Sequence, residues 1–110
     1  MRFFLKISIP IETGNAAIAD GSLGDTIKSI LAEQKVEAAY FTAMDGWRTG
    51  LIFLDMKNPS DMVAVAEPWF LAFNAAVEFH PAMSLEDLAK AGPSMERAAK
   101  TYATAESCCH

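Results

Sequence analysis

The dipeptide Asp45-Gly46 constrains this chain more than any other feature, because it stands between two β-rich runs, 37–44 and 47–54. A type I′ turn needs positive φ at two successive residues, and Asp-Gly supplies both at low cost. Such a turn is two residues long, so it sets the pairing on either side. Counting outward joins Met44 to Trp47, Thr42 to Thr49, Tyr40 to Leu51 and Ala38 to Phe53 on one face. The other face joins Ala43 to Arg48, Phe41 to Gly50, Ala39 to Ile52 and Glu37 to Leu54. Ala and Gly dominate the second set, so helices can approach it closely. The first set, aromatics beside threonines, is then expected to lie open in the monomer, and it is too apolar to leave in water.

The flanking elements follow from periodicity. Residues 2–11, RFFLKISIPI, put Phe3, Leu5, Ile7, Ile9 and Ile11 on one face of a strand, with Lys6 on the other. The Gly-rich stretch 12–24 reads as a loop. Ser22 with Asp25 forms a weak capping box before Ile27, Ile30 and Leu31, which recur at helical spacing to about Lys35. Asn58 as N-cap, Pro59 in the first position and Asp61 in the first turn start a second helix. Pro68 removes a donor, so a kink or a break is expected there, with a short second turn from Pro68 to Phe73. Residues 75–81 read as a strand that turns Val77 and Phe79 one way and Glu78 and His80 the other. A last helix opens at Ser84 with Asp87 three residues on, and Gly92-Pro93 interrupts it. The order is β-α-β-β-α-β plus a C-terminal helix, an α+β chain of the ferredoxin-like kind whose antiparallel sheet runs 4-1-3-2.

Length and charge set the outer bounds. A chain of 110 residues suits one domain, expected over 1–105, with 106–110 as a disordered tail. Hydrophobic residues make up 52% against 21% charged, which favours an oligomer. Net charge is −5 and the bases are scattered, so nucleic acid is an unlikely partner. No segment is long enough to span a bilayer and the first residues lack the plan of a secretory leader, so a cytoplasmic protein is expected. Cys108 and Cys109 then read as free thiols. With His110 they offer three metal ligands on a fraying end and no fourth, so neither a metal nor a cofactor is expected. GSLGDT lacks the Gly-Lys-Ser/Thr of a phosphate loop.

On its element order, and on the stretches GNAAIADGSLG, EAAYFTAMDGWRTG and AEPWFLAFNAAVEFHPAM, the chain resembles the dimeric α/β-barrel superfamily over residues 1 to about 83. Within it the likeness is to small stand-alone bacterial members with no attached activity. The resemblance implies a homodimer packed sheet against sheet. The superfamily also holds cofactor-independent monooxygenases, muconolactone isomerases and haem-processing enzymes, none of whose catalytic motifs is present here.

The candidate site follows from strand parity. Lys6 and Glu78 are expected to face each other on the open side, with Tyr40, Thr42, Thr49 and His80 on the same side. Such a set could bind and enolise a small carbonyl compound, with His80 as base and Lys6 or Tyr40 stabilising the oxyanion. The plainer reading makes Lys6 and Glu78 an ordinary cross-strand ion pair. Trp69 likewise either lines a pocket or anchors the second helix. The leading expectation is a homodimer holding a small, largely apolar molecule between its sheets. The alternatives are a monooxygenase or isomerase using His80, and a structural or partner-binding module without ligand.

Overall fold

Asp45 and Gly46 have φ of 56° and 80°, the two positive values that a type I′ turn requires. The computed structural model describes residues 1–103. Strands β2 (Ala38–Met44) and β3 (Trp47–Asp55) flank the turn, and their register from Ala38↔Phe53 to Met44↔Trp47 is the one counted outward from it. Strand β1 (Arg2–Ile9) pairs antiparallel with β3, and β4 (Ala76–Pro81) pairs antiparallel with β1. The sheet order β2-β3-β1-β4 is the expected 4-1-3-2 read from its other edge.

Helices α1 (Ile11–Ala19), α2 (Leu23–Gln34) and α3 (Asp61–Phe73) complete the body. Leu5, Ile7 and Ile52 are 0% exposed and form the centre of a core with Ile30, Val65, Trp69 and Phe73 from the helices. Burying side chains of this size is worth about 1.5–3 kcal/mol each. The Ala/Gly side of the hairpin thus faces this core, as its composition requires. The α+β arrangement with a four-stranded antiparallel sheet is that of a ferredoxin-like fold.

Four local expectations are corrected. Residues 12–24 are mostly helix rather than loop, and Gly14 and Gly21 have separate reasons to be glycine. A Cβ on Gly14 would meet Arg48 Nη1 at 2.6 Å, so this glycine serves close packing. Gly21, at φ 78°, ends α1 in a Schellman motif, with Ser22 N–H donating to Ala17 O at 2.9 Å and Gly21 N–H to Ile18 O at 3.1 Å. Ser22 therefore makes no capping box with Asp25, because its backbone is already helical and its side chain makes no cap bond. Strand β1 stops at Ile9, since Pro10 precedes the helix directly. The third helix begins after Ser60, not at Asn58, and the Asp61 carboxylate accepts from the Lys57 and Asn58 N–H groups at 3.1 Å each.

Pro68 causes no break. Helix α3 runs through it from Asp61 to Phe73, with Val65 and Ala66 buried before the proline and Trp69 and Phe73 buried after it. Asn74 then ends the helix in the left-handed conformation, at φ 52°.

Helices α4 (Leu85–Lys90) and α5 (Gly92–Tyr102) follow β4. Ser84 and Asp87 form a capping box, and the helix is interrupted at Ala91, with Gly92-Pro93 opening α5 rather than forming the break. Neither helix buries a residue. The molecule is consequently elongated, 62 × 31 × 20 Å, with a radius of gyration of 18.9 Å against about 13 Å for a compact domain near this length. Among the described residues no helix is long and apolar enough to cross a membrane. The expectations for Cys108, Cys109, His110 and the tail 106–110 lie outside the described residues.

Candidate functional site

The open face of the sheet is built in rows, each contributed by all four strands. Ala76, Ser8, Thr49 and Thr42 form one row, Glu78, Lys6, Leu51 and Tyr40 the next, and His80, Phe4, Phe53 and Ala38 the third. This follows from parity alone once the register is set, because alternate side chains of a strand share a face. Six of the seven sequence-derived site residues lie in these rows.

Lys6 is the centre of the polar group. Its Nζ lies 3.7 Å from Glu78 Oε2 and 3.6 Å from Asp45 Oδ2, and its side chain is only 23% exposed. The cross-strand ion pair is therefore present, with a second carboxylate that the sequence reading assigned to the turn alone. The signal for it was available: the same hairpin register that places Met44 and Trp47 on this face ends at Asp45. An open depression of about 310 Å³ lies here, lined by Lys6, Glu78, Asp45, Met44, Trp47 and Ser8 among others.

The remaining residues are spread out. Thr49 is buried between Ser8 and Thr42, and its hydroxyl donates to the Trp47 carbonyl at 3.0 Å. Tyr40 is 63% exposed on the edge strand β2. His80 is on the opposite edge strand and sets its ring beside Phe4, with centroids 6.0 Å apart, while Phe4 in turn packs on Phe53 at 5.1 Å. Three strand spacings of about 4.8 Å separate β4 from β2, and His80 and Tyr40 also stand one row apart, so more than about 14 Å lies between them. One small carbonyl compound cannot touch both in one subunit. Lys6 is nearer, a diagonal neighbour of His80 at about 7–8 Å between backbones.

Trp69 does not join the set. It is 1% exposed on the helix side of the sheet, where it packs on Phe73 and its Nε1 donates to Gln34 Oε1 at 3.4 Å. Of the two readings of Trp69, the geometry is that of the anchor.

The helix side also holds a cleft that the sequence reading missed. About 340 Å³ lies between α2 and the edge of the hairpin, lined by Leu23, Ile27, Ile9, Phe41, Gly50 and Arg48 among others. The Phe41 ring lies across Gly50, where an added Cβ would come within 3.2 Å of it. Arg48 Nη2 donates to Asn15 Oδ1 at 3.0 Å and so ties α1 to the sheet. Among the described residues, no group of three or more His, Cys, Asp or Glu is placed to hold a metal ion.

No protein-family model matches the chain, and no curated protein matches it. Among solved structures it is similar to the crystal structure of a formyltetrahydrofolate deformylase from Pseudomonas putida KT2440, with 16% identity and a TM-score of 0.47. The match covers 74% of this chain and 29% of that one, so the chain spans less than a third of that protein's length. Likeness at this level assigns no activity.

Proposed function

We propose that the protein is a cytosolic homodimer that holds a small, largely apolar molecule between two apposed open sheet faces. One observation carries the reading. Phe4, Leu51, Phe53, Tyr40 and Trp47 share a face, while the helices that bury residues, α1 to α3, lie on the other. An apolar face of this kind marks a contact surface. Two copies of the Lys6 depression brought face to face would enclose roughly twice its volume, within the roughly 300–1,000 Å³ usual for small-molecule sites. Lys6 and Glu78 would be the polar anchors, and the aromatics the wall.

Catalysis with His80 as base is the weaker reading. A base needs a polar partner to orient it, and the neighbour His80 has is the Phe4 ring. A monooxygenase or isomerase would also need its oxyanion donor close by, and Tyr40 is three strands away. A dimer with a dry, filled interface would instead be a structural module.

Sedimentation velocity on the full chain and on Phe53→Glu is the test, with anilinonaphthalene sulfonate as the apolar probe. The expected result is a dimer that binds the probe, and a Phe53→Glu chain that loses both. A wild-type monomer, or probe binding unchanged in Phe53→Glu, would overturn the reading.

A further inference from the structure

Arg48 is a half-buried cation on the helix face of β3, opposite Ile9 on one side and Ala43 on the other. Two features of α1 position its guanidinium. Gly14 leaves room for it, since a Cβ there would meet Nη1 at 2.6 Å, and Asn15 Oδ1 accepts from Nη2 at 3.0 Å. Among the described residues no carboxylate lies within ion-pair distance of Arg48. Asn15 is a neutral partner and occupies one edge of the fork, so the rest of it is available to an anion.

The same side chain lines the cleft of about 340 Å³ between α2 and the hairpin. Leu23 and Ile27, one helical turn apart on α2, form one wall, and Phe41 of β2 stands across from them. Gly50 keeps the floor open: a side chain there would start 3.2 Å from the Phe41 ring and 3.7 Å from Ile7 Cβ. Thr42 and Thr49 belong to the open-face row of the sheet, so only their backbone reaches this side. No acidic residue is among those lining the cleft. An apolar hollow with a single fixed charge has the make-up of a small-molecule site, and its volume is within the roughly 300–1,000 Å³ usual for one.

From this pairing we infer that the cleft binds a small monocarboxylate with a compact apolar body, its carboxylate on Arg48 and its body against Leu23, Ile27 and Phe41. Charge complementarity selects the class. A neutral hydrocarbon would leave the guanidinium without a counter-charge, and a phosphate or sulfate would set its remaining oxygens against apolar walls. The chain as a whole has a net charge of −5 and does not attract anions, so preference for an acid has to come from Arg48. The cleft is on the helix side of the sheet, apart from the open face and from whatever two such faces enclose.

Titration of the full chain with hydrocinnamate, and separately with its neutral isostere hydrocinnamide, tests the site when followed by amide NMR. The expected shifts centre on Leu23, Ile27, Phe41 and Gly50, and the acid should bind about tenfold more tightly than the amide. Arg48→Met should remove that preference, while Phe41→Ala should weaken both compounds alike. Phe41 is 53% exposed on an edge strand, so Phe41→Ala keeps the fold and decides the matter even where Arg48→Met loosens α1. Equal binding of acid and amide by the wild type, a preference that survives Arg48→Met, or no effect of Phe41→Ala would overturn the inference. So would shifts centred on Phe4, Lys6 and Phe53 instead, or none at the cleft up to about 10 mM acid. The same titration in Phe53→Glu separates the two sites: an acid preference that persists there leaves this inference standing even if the sheet-face dimer fails.

Discussion

Gln34 joins α2 to α3: its Oε1 accepts from the Trp69 indole Nε1 at 3.4 Å and its Nε2 donates to the Val65 carbonyl at 2.8 Å. The second bond is the shorter and carries more of the linkage. Replacing Gln34 by Met keeps the volume and removes both bonds, leaving a buried indole N–H without its partner. The expected loss is about 1–3 kcal/mol. Trp69→Ala removes a side chain that is 1% exposed and should cost about 3–5 kcal/mol. Urea unfolding followed by far-ultraviolet circular dichroism measures both, and a Trp69→Ala cost below that of Gln34→Met would contradict this packing.

Pro68→Ala should stabilise the protein. The proline lies inside a continuous helix with buried residues on either side of it, so alanine restores a donor where the helix already forms. A gain of about 1–3 kcal/mol is expected, its upper end being the propensity gap between Pro and Ala in a helix interior. A fall in the unfolding midpoint would mean that α3 depends on a bend at this residue.

At the hairpin the two turn residues should respond differently. Gly46→Ala forces a Cβ into φ 80° and should cost about 1–2 kcal/mol. Asp45→Asn keeps a residue that tolerates the left-handed conformation. It gives up only the 3.6 Å contact between Lys6 and a carboxylate that is 89% exposed, so a change within about 0.5 kcal/mol is expected. Equal losses in the two variants would argue against a type I′ turn.

Acid should loosen α4 through its cap. The Ser84 backbone N–H donates to Asp87 Oδ2 at 3.0 Å, and this bond, with the Ser84 side chain, holds the Asp87 carboxyl below its ordinary value of 3.8. A depressed folded-state pKa means that the cap's contribution is complete above the ordinary value and is lost as pH falls through the depressed one. Helical amide signals of 85–90 should therefore broaden or shift below about pH 4, and Asp87→Asn should remove that step. A step that persists in Asp87→Asn would belong to another carboxylate.

Much of the sheet was legible in the sequence. The turn Asp45-Gly46 sets β2 against β3, and alternation along 2–9 and 76–81 sorts Lys6, Glu78 and His80 onto one face. These are local or parity rules, and they need no knowledge of what lies above the sheet. The helices were less legible because their signals conflict. Gly14 and Gly21 look alike in sequence, yet one is small to admit Arg48 and the other is a helix end, so together they mimic a loop. Pro68 signals a break that burial of Val65 and Trp69 overrides.

The candidate site divides along the same line. That Lys6 faces Glu78 follows from strand order and register. That His80 and Tyr40 stand on opposite edges follows from the same strand order, whereas that Lys6 Nζ reaches the Asp45 carboxylate and that Trp69 packs on the far side depends on how side chains meet across strands and layers. Sequence alone therefore determined the hairpin, the strand faces and the apolar character of the open side, because each rests on neighbours in the chain. Only the tertiary structure decided which of those residues meet and which surfaces are left uncovered, including those of α4 and α5. Distances across a sheet and burial between layers arise from contacts between segments far apart in sequence, and no local pattern encodes them.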